Sequence, residues 1–89
     1  MMRLENFAYT MTQELGLHAR PAGKLAKLAG DYTSAITIRK SDGAAVNLRR
    51  INAVMRLCIK KGDEVFFAAE GDDERAAIEA VKNLCQESL

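Results

Sequence analysis

Two cysteines, one histidine and one proline among 89 residues leave little room for metal or disulfide chemistry. Cys58 and Cys85 fall on apolar positions of helix-like segments, and no Cys-x-x-Cys or Cys/His cluster accompanies them. Reduced thiols, no metal site and no cofactor are therefore expected. No apolar run approaches the roughly 20 residues of a membrane span. Met1 to Met11 alternates polar with apolar residues where a signal peptide would carry an apolar block. Neither membrane insertion nor export is expected, and the expected location is the cytoplasm. RNP-like aromatics and zinc ligands are missing and the net charge is only +1, so nucleic acid is not an expected partner. Hydroxyls are absent from one long stretch: Ala44 to Gly62 holds no Ser, Thr or Tyr.

What is present suits a single small domain over residues 1–89, expected to be monomeric. At 48% apolar residues the chain can build a modest core without a metal or a staple. The near-neutral total hides a separation of charge. His18 to Lys61 holds ten Lys and Arg against Asp31 and Asp42, whereas Gly62 to Leu89 holds eight acids against Arg75 and Lys82. A basic surface in the middle of the chain would steer acidic partners or phosphate groups towards it, although any single Lys or Arg can equally well just solvate a helix face.

Periodicity divides the chain into seven elements. Phe7, Tyr9 and Met11 alternate with Ala8, Thr10 and Thr12, the pattern of a strand with one buried face. Ala22, Leu25, Ala26 and Ala29 follow at helical spacing, with Pro21 in the first turn and Gly30 as the stop. Ala35 to Lys40 is a second strand, Ser41-Asp42-Gly43 a hairpin turn and Ala44 to Leu48 a third strand. Ile51, Val54, Met55 and Cys58 mark a short second helix, and Val65 to Ala69 is a fourth strand. Asp72 is the expected cap of a third helix with Asp73 and Glu74 in its first turn, Lys82 in its last, and a stripe of Ile78, Val81, Leu84 and Cys85. The order β-α-β-β-α-β-α, with one apolar stripe per helix and one apolar face per strand, predicts an α+β fold in which helices cover one side of a mostly antiparallel sheet.

The histidine stands where the first helix begins, in Gly16-Leu17-His18-Ala19-Arg20-Pro21-Ala22. The unpaired N–H groups of a helix's first turn and the positive end of its dipole favour an anion there, and Arg20 adds a fixed charge. Free imidazole titrates near about pH 6.5, so it is largely an unprotonated nucleophile at neutral pH. These residues suggest a reversible phosphohistidine. A lone histidine at a helix start is also commonly a cap or a surface residue, and the chemistry alone leaves both readings open.

The string GLHARPA, its place near the N-terminus, Tyr32-Thr33-Ser34 and Lys60-Lys61-Gly62-Asp63-Glu64-Val65 together resemble HPr, the phosphocarrier family of the sugar phosphotransferase system, essentially end to end. The resemblance implies an open-faced sandwich of four strands and three helices. It implies a carrier, not an enzyme, whose His18 takes a phosphoryl group on Nδ1 from phosphorylated enzyme I and passes it to enzyme II A domains, with Arg20 neutralising the phosphate. The family's partner surface maps onto Gly16, Leu17, Pro21, Lys24, Lys27, Arg49, Ile51 and Met55. Val54 and Met55 also read as core, and Ile51 stays open between the two. Three positions depart from the family pattern. Arg50 stands where Gram-positive members carry a regulatory serine, Asn52 where a larger apolar residue is usual, and Cys58 where a glycine is usual. A regulatory protein-binding module is the alternative the resemblance allows. One such member lacks the active histidine and keeps the serine, the reverse of this chain.

Overall fold

The structure, a computed structural model, describes residues 5–41 and 43–89. The elements run β1 (Glu5–Thr10), α1 (Ala19–Gly30), β2 (Ala35–Lys40), β3 (Val46–Asn47), α2 (Ile51–Arg56), β4 (Glu64–Glu70) and α3 (Glu74–Ser88). The four strands form one sheet in the order β1-β4-β2-β3, and every pairing is antiparallel. Helices cover one face and leave the other open, as in the open-faced sandwich expected.

Alternation along the strands builds the covered face. Phe67 in β4 lies opposite Phe7 on one side and Ile38 on the other, so the widest side chain sits over the middle of the sheet. Val65, Ala69 and Ile36 complete that surface, all buried. Pro21, Ala22, Leu25 and Ala29 from α1 pack on it, as do Ala77, Ile78, Val81 and Cys85 from α3. Burial also pushes the Cys85 thiol up to about 12, so it stays a neutral packing group.

The first helix ends on Gly30 as expected, although without a positive φ, and it is closed by the N–H of Asp31 on Leu28 O at 3.0 Å and the N–H of Tyr32 on Ala29 O at 3.5 Å. Element ends differ from the sequence expectation in three places. The third strand is two residues long instead of five, although Leu48 N–H still donates to Ile36 O at 2.9 Å. Of the expected hairpin turn, Asp42 lies outside the described residues, and Gly43 N–H closes on Lys40 O at 3.1 Å.

The third helix is capped at Asp73, not Asp72, and runs on to Ser88, which puts Lys82 in mid-helix with its ammonium 5.6 Å from the Phe7 ring centre. The Asp73 carboxylate does not cap its own helix. It accepts from the N–H groups of Thr33 and Ser34, both at 2.9 Å, and from the Ser34 hydroxyl, and so ties α3 to the loop after α1. Those bonds, the Ser34 hydroxyl's foremost, lower the Asp73 pKa to about 2.

The second helix stops at Arg56, so Cys58 is not on an apolar helical position. It is exposed and holds φ +53°, the left-handed slot just past a helix end that glycine fills without steric conflict. That geometry accounts for the glycine that the resemblance implies at this point.

Candidate functional site

His18 is the N-cap of α1, with extended backbone (φ −97°, ψ −172°) and a side chain that makes no capping bond. Its carbonyl accepts the first helical bond, from Ala22 N–H at 3.0 Å, which leaves the imidazole free beside the N–H groups of the first turn. Pro21 fits because a first-turn residue needs no N–H, and its ring is buried against the core.

The loop that presents the histidine is pinned by backbone contacts. Gly16 has φ +66°, and a Cβ there would lie 2.3 Å from the carbonyl oxygen of Ile59, so no other residue fits without moving the loop. Directly after it, Leu17 N–H donates to that same carbonyl at 3.0 Å. Ile59 is held in turn by the tight turn that follows. The Asp63 carboxylate accepts from Lys60 N–H at 2.8 Å and pairs with Lys40 at 3.3 Å, and its pKa is lowered, chiefly by the Lys60 bond. Met11 closes the arrangement by bonding Gly62 and Asp63.

The histidine opens into a shallow recess of about 260 Å³ lined by Gln13, His18, Arg20, Pro21, Lys24, Glu87 and Ser88. Its far wall is the last turn of α3. Gln13 Nε2 donates to Ser88 O at 3.1 Å, the Thr12 hydroxyl to Leu89 O, and Lys24 Nζ to Ser88 Oγ at 3.4 Å. Among the described residues neither Arg20 nor Lys24 forms an ion pair. The recess therefore has two cations without a paired carboxylate on the α1 side and one carboxylate, Glu87, opposite. It suits a small dianion attached to the imidazole.

The residues expected at a partner surface divide into two groups. Lys24 and Lys27 are exposed, Ile51 is 40% exposed, and Met55 is half-buried against the core. Gly16, Leu17 and Pro21 are buried and serve the loop and the core, so they cannot present side chains to a partner. Arg49 is likewise tethered: its Nε donates to Ala29 O at 3.1 Å and its Nη2 to Tyr32 O at 2.6 Å, which satisfies carbonyls at the C-terminal end of α1. That is a structural task an exposed guanidinium in a loop does not announce in sequence. Leu15 was missed. It is 77% exposed beside Gly16, and its position in a turn, outside any amphipathic period, hid it. Arg50 is the exposed N-cap of α2, without a side-chain capping bond, and borders an open groove with Ile51, Asn52, Ala53 and Arg56.

Among the described residues no group of three metal-ligating side chains occurs, and no helix is long and apolar enough to cross a membrane. A family profile described as "PTS HPr component phosphorylation site" matches residues 6–87. The chain is 42% identical over 79 residues to the phosphocarrier protein HPr of Lysinibacillus sphaericus, covering 89% of each. Among solved structures, a Mycoplasma histidine-containing phosphocarrier protein superposes with a TM-score of 0.85 at 41% identity, covering 90% of both chains. Bacillus subtilis Crh, a catabolite repression protein, superposes with a TM-score of 0.74 at 34% identity, covering 91% of this chain and 92% of that one.

Proposed function

The chain belongs to the HPr family of phosphocarrier proteins of the phosphotransferase system, carriers and not enzymes, and on that premise we propose that His18 is the residue that carries the phosphoryl group. The observation behind this is the free imidazole at the start of α1, facing a recess that also holds Arg20 and Lys24. The donor is the phosphohistidine of enzyme I, itself charged by phosphoenolpyruvate, and the acceptors are enzyme II A domains. The lone pair of His18 Nδ1 attacks phosphorus as the donor's P–N bond breaks and its electrons return to the donor imidazole. The second step repeats this with His18 as the leaving group. Because the group arrives activated, positioning and charge stabilisation suffice and no further base is required. Arg20 supplies a planar pair of donors for the phosphoryl oxygens.

Docking falls to exposed groups on two parts of the fold: Leu15, Arg20, Lys24 and Lys27 on the histidine loop and α1, and Arg50, Ile51 and Arg56 on the α2 groove. A partner surface that is acidic and partly apolar would complement them, and the cytoplasm is where such partners would work. The likeness to Crh favours one second reading, regulation by docking alone. Incubation with enzyme I and labelled phosphoenolpyruvate separates the two. Transfer gives label that is lost in acid and survives alkali, and His18→Ala abolishes it while the circular dichroism spectrum is unchanged. Label persisting in that variant would remove His18 from the reading.

A further inference from the structure

Lys24 stands four residues after Arg20, one turn along the same face of α1, and so borders the same recess. Its ammonium carries three donors, and one of them meets Ser88 Oγ at 3.4 Å in an exposed position, a long and weak contact. Phosphorylation of the imidazole would bring a dianion into a space walled by Arg20 and Lys24 on α1, with the Glu87 carboxylate on α3 opposing it. A charge-assisted bond to a phosphoryl oxygen is roughly twice as strong as a neutral one, so the dianion outcompetes the serine hydroxyl.

We propose that Lys24 is a second phosphoryl-binding cation: when His18 is phosphorylated, its ammonium leaves Ser88 Oγ for a phosphoryl oxygen, forming with Arg20 a clamp of two cations one helical turn apart on α1. This rests on the assignment of His18 as the phosphorylated residue. The clamp lengthens the life of the loaded carrier. In the isolated protein no acceptor is held in line, so an ammonium bound to the phosphoryl oxygens acts chiefly on the resting phosphorylated state, which it stabilises against loss to water. In a partner complex the same cations position the group for transfer. The exchange also releases Ser88, so the last turn of α3 responds to loading.

A measurement free of any protein partner separates this role from docking. Wild type, Lys24→Met and Lys24→Arg are phosphorylated with phosphoramidate: a ring nitrogen attacks phosphorus, the phosphoramidate P–N bond breaks, and ammonia leaves carrying the ring's displaced proton as ammonium. Hydrolysis is then followed in buffer by phosphorus NMR. Lys24→Met is expected to shorten the half-life at least about threefold, the scale of one exposed charge-assisted contact. Lys24→Arg restores the lifetime, and the Ser88 side-chain resonances shift on phosphorylation in wild type but not in Lys24→Met. An unchanged half-life in Lys24→Met overturns the proposal and leaves Lys24 as a docking residue only. Equal shortening in both variants overturns it as well, since charge would then not be what matters. Wild-type protein that takes no acid-labile phosphate would overturn the His18 assignment itself, and the clamp with it.

Discussion

Replacing Cys58 by glycine should stabilise this protein. The residue holds φ +53° just past α2, with its N–H on Met55 O at 3.1 Å and its side chain exposed. A side chain in the left-handed region costs roughly 1–2 kcal/mol through its Cβ. Glycine removes that strain but loses more conformational freedom on folding, roughly 0.5–1 kcal/mol. Little burial is forfeited, because the thiol packs against nothing in the core. The net gain is about 0.5–1 kcal/mol, which for a domain of this size raises the thermal midpoint by about 2–8 °C. Thermal and urea unfolding followed by circular dichroism, under reducing conditions, read it directly. Cys58→Ala is the control that deletes the thiol and keeps the Cβ, and its midpoint should barely move. If the alanine variant gains as much as the glycine variant, the thiol and not the backbone was responsible, and if glycine loses stability the strain argument is wrong.

The remaining expectations concern the site and its supports. Arg20→Ala should slow phosphoryl transfer from enzyme I by at least about tenfold, roughly 1.4 kcal/mol of barrier, while the thermal midpoint stays put; unchanged kinetics with a large loss of stability would mark a structural arginine. An HPr kinase supplied with ATP should leave residues 44–62 unmodified, because that stretch holds no hydroxyl and the resemblance puts Arg50 where the regulatory serine would be; an acid-stable phosphate found there by mass spectrometry would contradict this. Asp73 has a folded pKa of about 2 against an ordinary 3.8, so its stabilising bonds are fully present above about pH 4 and are lost as pH falls towards 2. Asp73→Asn should lower stability at neutral pH and flatten its decline across that window, and an acid limb as steep as in wild type would locate the titrating group elsewhere. Gly16→Ala should disrupt the loop through the Ile59 carbonyl, and unperturbed amide shifts for Leu17 and His18 would show the loop is softer than the packing implies.

Much of this was legible in the sequence because period and packing coincide. Two-residue alternation placed Ile36, Ile38, Val65 and Phe67 on the covered face, and the 3.6-residue spacing of Ala22, Leu25 and Ala29 placed α1 upon it. His18 at a helix start was readable for the same reason. Illegible were interactions joining residues far apart along the chain. Arg49 looked like a partner-facing cation, yet it serves carbonyls 17 and 20 residues away. Asp73 looked like part of a first helical turn, but its carboxylate is spent on a loop 39 and 40 residues back. The far wall of the histidine recess, made by Glu87 and Ser88, carries no local signal, because helical periodicity says which face is buried and not which loop it meets. Cys58 was misplaced since an apolar residue at a helical interval looks the same whether the helix continues or has just ended.

The clasp between the first loop and the end of α3 joins residues separated by 75 and 77 positions along the chain. The first helix and its histidine can form from local contacts, yet the wall opposite them needs residues distant in sequence. A chain that has formed α1 alone therefore displays the imidazole without the recess around it, and closing so long a loop is among the slow entropic steps of folding. The recess is thus completed only with the fold, and on the function proposed for His18 a partly folded chain would be a poor phosphoryl acceptor.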